Sequence, residues 1–282
     1  MGDFKHFQQR RQHLAEHMRR GVAVIPTAPE RLRNRDAHYP YRFDSYFYYL
    51  TGFTEPESVL VLIAGDAPRS ILFCRDKDPE REVWDGFRFG PDAAREAFGF
   101  DEAHSITQLD EMLPKLLADQ AALFYGVGAD SHWDERAVGW LNRVREQTRS
   151  GVTAPSEIRD VRVLLDEMRL IKRPEELHAM RRAAQISCGA HRRAMAFANP
   201  ARHEFEIEAE LLHEFRRHGA QAPAYTSIVA GGANACVLHY VDNAAPLRDG
   251  ELLLIDAGCE VDGYASDITR TFPVNGKFGA AQ

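Results

Sequence analysis

Residues 249–274, DGELLLIDAGCEVDGYASDITRTFPV, contain the feature that most limits how this chain can fold. Residues 252–255 are four bulky apolar residues, which are typical of a strand buried on both faces. An ionised carboxylate, Asp256, follows directly, and burying it is unfavourable unless something pairs with it. A second aspartate, Asp267, lies eleven positions later. The segment therefore predicts a buried strand that delivers a carboxylate to a site.

Two glycines divide the rest of this segment. Gly263 can supply the positive φ of a turn, so residues 259–264 and 267–274 are predicted to be further strands. A hairpin-like return would bring Asp256 and Asp267 together, where one or two divalent cations would turn their repulsion into attraction. All-oxygen ligation favours Mn²⁺ or Mg²⁺ over a thiolate zinc site. The alternative is that Asp256 belongs to a plain turn and Asp267 only caps the next strand.

Several ordered strings of the chain resemble bacterial aminopeptidase P, the Xaa-Pro aminopeptidase family within the creatinase and methionine aminopeptidase superfamily of metallopeptidases. These strings are AHYPYR at 37–42, YLTGF at 49–53 with EPE at 55–57, DEMRLIK at 166–172 with PEE at 174–176, VLHY at 237–240, LIDAG at 254–258 and SDITRTFP at 266–273. They run in order from residue 37 almost to the end of the chain.

The resemblance implies a two-metal centre with five protein ligands, in which Asp256 and Asp267 match the two aspartates. The expected ions are two Mn²⁺, with Co²⁺, Zn²⁺ or Mg²⁺ as alternatives. The family's remaining ligands, a His and two Glu, should lie beyond Gln282. We therefore expect this chain to be the N-terminal portion of such an enzyme, with weak metal binding and negligible peptidase activity by itself.

The resemblance also implies a fold class and a domain division. Residues 1–171 should form the α/β N-terminal, creatinase-like domain, and residues 172–282 the first half of an α+β pita-bread catalytic domain. The intact enzyme should hydrolyse the bond between an N-terminal residue and a following proline, and it should form a homo-oligomer. Its partner is a peptide with an Xaa-Pro N-terminus.

Four further residues are candidates for the site. The resemblance makes His239 a substrate-side catalytic histidine that hydrogen-bonds the scissile amide or the tetrahedral intermediate. Tyr225 and Ile228 are expected to line the substrate pocket, and Trp84 resembles the family's aromatic wall near the substrate amine. For each of them the alternative is a core residue, and for His239 this means a satisfied histidine in an apolar strand. Residues 231–234 are interpreted as a turn near the substrate, because they lack the Lys-Ser/Thr of a P-loop.

Two other functions stay open. A prolidase, specific for Xaa-Pro dipeptides, would share the fold and the metal pair. A non-catalytic pita-bread module that binds peptides or proteins belongs to a different class, although a site without chemistry has no reason to keep two close carboxylates.

Cysteine and histidine spacing exclude other chemistries. The four cysteines form no C-x-x-C pair, so we expect ordinary buried thiols at Cys74, Cys188, Cys236 and Cys259. Five histidines in a predicted helical region lack the spacing of H-E-x-x-H and are interpreted as solvated; they are His178, His191, His203, His213 and His218.

Charge and hydropathy limit the partners. The formal net charge is −7 and no Lys/Arg-rich block occurs, which argues against nucleic acid. The longest apolar run, residues 59–64, is too short to cross a bilayer, and residues 1–6 do not resemble a secretion signal. A reducing cytoplasm is the expected location.

The expected elements alternate between strands and helices before residue 171. Helices are predicted at 4–18, 107–118, 132–146 and 158–170, and strands at 21–25, 58–63, 70–73 and 122–125, with a polar linker at 147–155. Beyond it, helices are predicted at 174–198 and 204–218, packed on an antiparallel half-sheet between residues 225 and 274.

Overall fold

The structure is a computed structural model that describes residues 4–282. The chain divides into two compact units, Met1–Ile171 and Lys172–Gln282. Residues 1–3, half of the segment that does not resemble a secretion signal, lie outside the described part. Within residues 4–282, no helix has the length and apolar character needed to span a membrane.

The first unit alternates helices with strands, as predicted. Its helices are α1 (Lys5–Met18), α2 (Ser45–Thr51), α3 (Pro79–Asp85), α4 (Gly90–Phe98), α5 (Leu109–Leu117), α6 (Ser131–Arg145) and α7 (Arg162–Leu170). Its strands are β1 (Gly21–Pro26), β2 (Leu32–Asn34), β3 (Ala37–His38), β4 (Val59–Ala64), β5 (Arg69–Cys74), β6 (Glu102–Ser105), β7 (Ala122–Tyr125) and β8 (Glu157–Asp160).

A six-stranded mixed sheet forms the centre of this unit, in the order β6-β5-β4-β1-β7-β8. Strand residues alternate between its two faces, so neighbours such as Ala23 and Val24 enter different clusters of buried residues. One cluster contains residues of α1, α2, α4 and α7, and the other contains residues of α5 and α6. The sheet is therefore covered by helices on both faces.

One helix prediction in this unit was wrong at its start. Residues 158–170 were expected to form one helix, but β8 occupies Glu157–Asp160 and α7 begins only at Arg162. β8 pairs in parallel with β7, with Leu123 opposite Ile158. Tertiary pairing with a buried neighbour strand outweighed the local helical pattern. Residues 147–155, predicted as a polar linker within the first domain, connect α6 to β8 and contain a short 3₁₀ helix at Thr148–Ser150.

The second unit begins with two long helices, α8 (Pro174–Phe197) and α9 (Glu204–Arg217). Its strands are β9 (Ala222–Pro223), β10 (Ile228–Gly231), β11 (Leu252–Ala257), β12 (Cys259–Val261), β13 (Tyr264–Ala265) and β14 (Ile268–Pro273). They form two three-stranded antiparallel sheets, β10-β11-β14 and β13-β12-β9, and not the single half-sheet expected from the sequence.

Both helices of this unit share a core with alternate residues of the strands. Leu253, Ile255 and Ala257 of β11 are fully buried in the cluster that contains residues of α8 and α9. Leu252, Leu254 and Asp256 alternate with them and are only partly buried. The expectation that this strand is buried on both faces was therefore wrong, and Asp256 lies on the face turned away from the helices.

Candidate metal centre

Asp256 and Asp267 lie at the same end of one pair of strands. Asp256 is the penultimate residue of β11, and its register partner in β14 is Thr269. Asp267 immediately precedes β14. The chain therefore makes the hairpin-like return that the sequence predicts, through the antiparallel pairing of β11 with β14, and the two aspartates lie close together.

The return is made by residues 258–267, with β12 and β13 as a short hairpin inside it. Asp262 and Gly263 at its turn have φ values of 50° and 75°, so the positive φ expected at Gly263 is confirmed. Gly258 has a different role. A Cβ atom built on it would lie 1.7 Å from the Ser266 carbonyl oxygen, so the chain can cross here only if residue 258 has no side chain.

Tyr225 joins the two carboxylates. Its hydroxyl oxygen lies 2.5 Å from Oδ1 of Asp256 and 3.0 Å from Oδ1 of Asp267. Burial, followed by these two hydrogen bonds, raises the pKa of Tyr225 far above its ordinary value, because a phenolate would be desolvated beside two anions. The phenol therefore remains a donor, and both Oδ1 atoms converge on one point.

Asp256 is half-buried and Asp267 is exposed. Two carboxylates that share a single hydroxyl hydrogen repel each other, and a divalent cation is the group that relieves this repulsion most directly. Carboxylate oxygens are suited to hard or borderline ions. The two carboxylates are therefore of the right chemical type for such an ion. They are only two ligands, however, because no group of three or more His, Cys, Asp or Glu side chains within residues 4–282 is placed to hold a metal.

His239 lies in a turn and not in the apolar strand expected from the sequence. The preceding residues Gly232–Cys236 form a 3₁₀ helix, and residues 237–240 follow without regular structure. His239 is exposed, and Leu238 beside it is 88% exposed. The core alternative for this histidine was therefore wrong. The turn expected at residues 231–234 is the end of β10 and the start of the 3₁₀ helix.

The remaining candidates have three different environments. Tyr225 precedes β10, is half-buried and faces the aspartates. Ile228 is a buried residue of β10, with Asp256 as its register partner in β11. Trp84 lies on α3 of the first unit and is 85% exposed, so the core alternative was wrong for it.

Three buried polar residues of the second unit were missed or misread. His191 of α8 is 3% exposed, not solvated as expected, and its Nε2 donates to the Ala257 carbonyl at 3.1 Å. Burial lowers the pKa of His191. Ser187, one turn earlier, lies 2.8 Å from the Ser266 hydroxyl and accepts the Cys259 amide at 3.1 Å. Glu204 begins α9 and is fully buried.

Two of these residues, Ser187 and His191, follow the helical periodicity of the sequence. Ser187 and His191 are four residues apart, on the same face of α8 as Ala183, Ala190 and Ala194, which are all buried. The cysteine expectation was also only half right, since Cys74 and Cys259 are buried while Cys188 and Cys236 are exposed.

Comparison with known proteins places both units. Residues 7–125 match the model of the aminopeptidase P N-terminal domain, and residues 178–282 match the model of metallopeptidase family M24. The Xaa-Pro aminopeptidase of Escherichia coli (strain K12) is 47% identical over 98% of this chain and 63% of its own length. Human Xaa-Pro aminopeptidase 3 is 36% identical over 93% of this chain and 52% of its own length.

Solved structures agree with these matches. Zinc-substituted E. coli aminopeptidase P in complex with product superposes with a TM-score of 0.97 at 46% identity, covering 100% of this chain and 64% of that chain. Proline aminopeptidase P II from Yersinia pestis gives a TM-score of 0.96 and covers 99% and 65%. The expected fold class, an α/β N-terminal domain followed by part of a pita-bread domain, is confirmed. The chain spans less than two thirds of the length of these relatives.

Proposed function

The chain belongs to metallopeptidase family M24, with an aminopeptidase P N-terminal domain ahead of the M24 region, and on this premise we propose that it serves in releasing the N-terminal residue from peptides with proline at position two. The observation that supports this function most is the convergence of Asp256 and Asp267 on the Tyr225 hydroxyl. We further propose that the boundary between residues 171 and 172 separates an accessory domain from the catalytic one.

In this proposal Asp256 and Asp267 would hold a pair of Mn²⁺ ions, with Co²⁺, Zn²⁺ or Mg²⁺ as substitutes. Bound divalent ions supply Lewis acidity toward a peptide carbonyl and lower the pKa of water. Asp256 lies near the end of β11 and Asp267 immediately before β14, and the Tyr225 hydroxyl lies within hydrogen-bond distance of both Oδ1 atoms. Ser187 and His191 of α8 hydrogen-bond the backbone next to Asp256, at the Cys259 amide and the Ala257 carbonyl.

His239 is the proposed substrate-side residue. Its exposed imidazole can donate a hydrogen bond to a peptide substrate. Tyr225, Ile228 and Trp84 stay proposed substrate contacts, supported by the family resemblance. The free state of Cys74, Cys188, Cys236 and Cys259 supports a reducing, cytoplasmic setting.

We propose that the described residues need additional ligands for full activity, because two carboxylates are fewer than a dinuclear centre requires. Residues 1–282 alone should therefore release negligible arginine from Arg-Pro-Pro in the presence of Mn²⁺. Arginine release at an ordinary enzymatic rate would refute this part of the proposal.

The function itself is tested by joining residues 1–282 to the C-terminal third of the E. coli relative. With Mn²⁺, the fusion should release arginine from Arg-Pro-Pro but not from Arg-Ala-Pro, and Asp256→Asn should reduce the rate by roughly 10²-fold or more. Cleavage of the dipeptide Arg-Pro alone would indicate a prolidase. A folded fusion that cleaves none of the three peptides would contradict the proposal.

A further inference from the structure

Glu204 is a fully buried carboxylate at the first position of α9. Oε1 accepts hydrogen bonds from the Gly231 amide at 2.8 Å and from Asn234 Nδ2 at 3.0 Å. Oε2 accepts from the Tyr240 hydroxyl at 2.7 Å and from the Ala245 amide at 2.8 Å. These four donors are all neutral, and together they match the acceptor capacity of one carboxylate.

All four donors belong to one segment, residues 231–246, which we call the His239 loop. The donors lie on both sides of His239 along the chain, so a single carboxylate closes the base of the loop. The Asn234 amide also reaches the Tyr240 hydroxyl, at 3.1 Å, and this contact connects the two sides directly.

Backbone contacts strengthen the same closure. The Glu204 amide donates to the Ala245 carbonyl at 3.0 Å, and the Leu247 amide donates to the Arg202 carbonyl at 2.8 Å. Asn243, which is buried, accepts from the Val229 amide and donates to the Ser227 carbonyl. The ends of the loop are therefore fixed to α9 and to the strand β10.

The tip of the loop contrasts with its base. Val237 and Leu238 are 55% and 88% exposed, and His239 is exposed beside them. A buried ionised carboxylate is unfavourable unless it keeps its hydrogen bonds, so any displacement of the loop base leaves charge unsatisfied. The fold thus combines a tightly bonded base with an exposed histidine.

We propose that Glu204 is the positioning residue of the His239 loop, fixing the place from which His239 meets the peptide. This inference rests on the proposed function, in which His239 contacts substrate. Glu204 lies on α9 and has no proposed contact with the substrate; its effect on the reaction would come only from holding the loop.

Hydrogen exchange of the 282-residue chain, followed by NMR, tests the inference with Glu204→Gln. A Gln side chain keeps one acceptor oxygen and turns an NH₂ group toward two of the four donors, so exchange of the Gly231 or the Ala245 amide, whichever then faces the NH₂ group, should accelerate by roughly tenfold or more. The His239 ring resonances should shift toward free-peptide values, while exchange in β11 and β14 stays unchanged. Glu206→Gln, in the same helical turn but outside the loop contacts, is the matched control and should change neither.

Equal acceleration of exchange throughout the second unit would show that Glu204 only stabilises the unit as a whole. Unchanged exchange at both residue 231 and residue 245 would show that Glu204 does not hold the loop. Either result overturns the inference. Should Glu204→Gln not fold, Tyr240→Phe removes one donor and should produce the same local pattern. The proposed function fails separately, if His239→Ala leaves the peptidase rate of the fusion unchanged while the exchange result stands.

Discussion

Tyr225 has one hydroxyl hydrogen, and two carboxylate oxygens compete for it. The Oδ1 atoms of Asp256 and Asp267 lie 2.5 and 3.0 Å from the phenol oxygen. Only one of them at a time can accept a hydrogen bond with near-linear geometry. The second carboxylate keeps its repulsion with the first. A cation is therefore the natural complement of this group of three side chains.

Asp267→Asn should weaken Mn²⁺ binding by roughly tenfold or more, because an amide oxygen carries no net charge and only one carboxylate remains. Without metal the same variant should be at least as stable as the parent chain, since the substitution removes like-charge repulsion. Calorimetric Mn²⁺ titration and urea unfolding in EDTA measure the two effects. Asp262→Asn, on the exposed turn of the same hairpin, is the control and should alter neither; equal losses in both variants would contradict the assignment.

His191 gives the second unit a predictable pH dependence. Burial lowers the folded-state pKa of His191; the hydrogen bond to the Ala257 carbonyl raises it by less, and smaller effects come from Arg270, which lowers it, and Asp256, which raises it. The unfolded chain therefore binds a proton at higher pH than the folded chain does. The stabilisation from neutral His191 is present above about pH 6.5 and is lost as the pH falls through the lower folded-state pKa.

The free energy of unfolding should therefore decrease between about pH 7 and pH 5, and His191→Gln, which keeps a donor for the Ala257 carbonyl, should flatten that slope. Urea unfolding at several pH values measures it. His213→Gln on the exposed face of α9 should leave the slope as it is. A slope that is the same in both variants would show that another group is responsible.

At the scale of elements, the β11–β14 pair depends on one residue without a side chain. Gly258→Ala should destabilise the second unit by about 3 kcal/mol, because its Cβ would lie 1.7 Å from a backbone oxygen that cannot move independently. Gly189→Ala, in the middle of α8, meets only the Glu214 carboxylate at 3.4 Å and should be neutral or slightly stabilising. Chemical denaturation compares them, and two equal midpoints would contradict the close crossing at residue 258.

Elements with strong local patterns were predictable from the sequence. α1, β7, α8 and α9 agree with prediction within one residue at each end, because apolar periodicity marks the helices and a short apolar run marks the strand. The start of α7 was not predictable, since β8 exists only through pairing with β7. Residues 237–240 looked strand-like from their apolar content, yet the carboxylate of a distant residue, Glu204, fixes that loop.

The same distinction holds for the candidate site. Asp256 and Asp267 could be identified from spacing and resemblance, because Asp256 directly follows an apolar run and both lie in strings, LIDAG and SDITRTFP, that resemble the family. Tyr225 lies just before β10, and it is 31 residues from Asp256 and 42 residues from Asp267 in sequence. Its contact with both carboxylates therefore depends on the tertiary fold. Such contacts between distant residues leave no local pattern, and the same is true of Ser187 with Ser266.

At the scale of the whole molecule, each unit has its own buried clusters of residues. The first has helices on both faces of its sheet. In the second, α8 and α9 cover one face of β11, while Leu252, Leu254 and Asp256 on the other are only partly buried. The proposed chemistry is therefore located on the more accessible face of the M24 region, in a chain that spans 63% of its E. coli relative.

Anomalous diffraction at the manganese edge, from crystals of the chain soaked in millimolar Mn²⁺, tests the central claim most directly. We expect a difference peak between the Asp256 and Asp267 carboxylates, within about 2.2 Å of an oxygen of each, and no such peak in Asp267→Asn crystals. Saturating Mn²⁺ without density between the two carboxylates, or carboxylates that turn away from each other, would contradict the claim that they bind a divalent ion together.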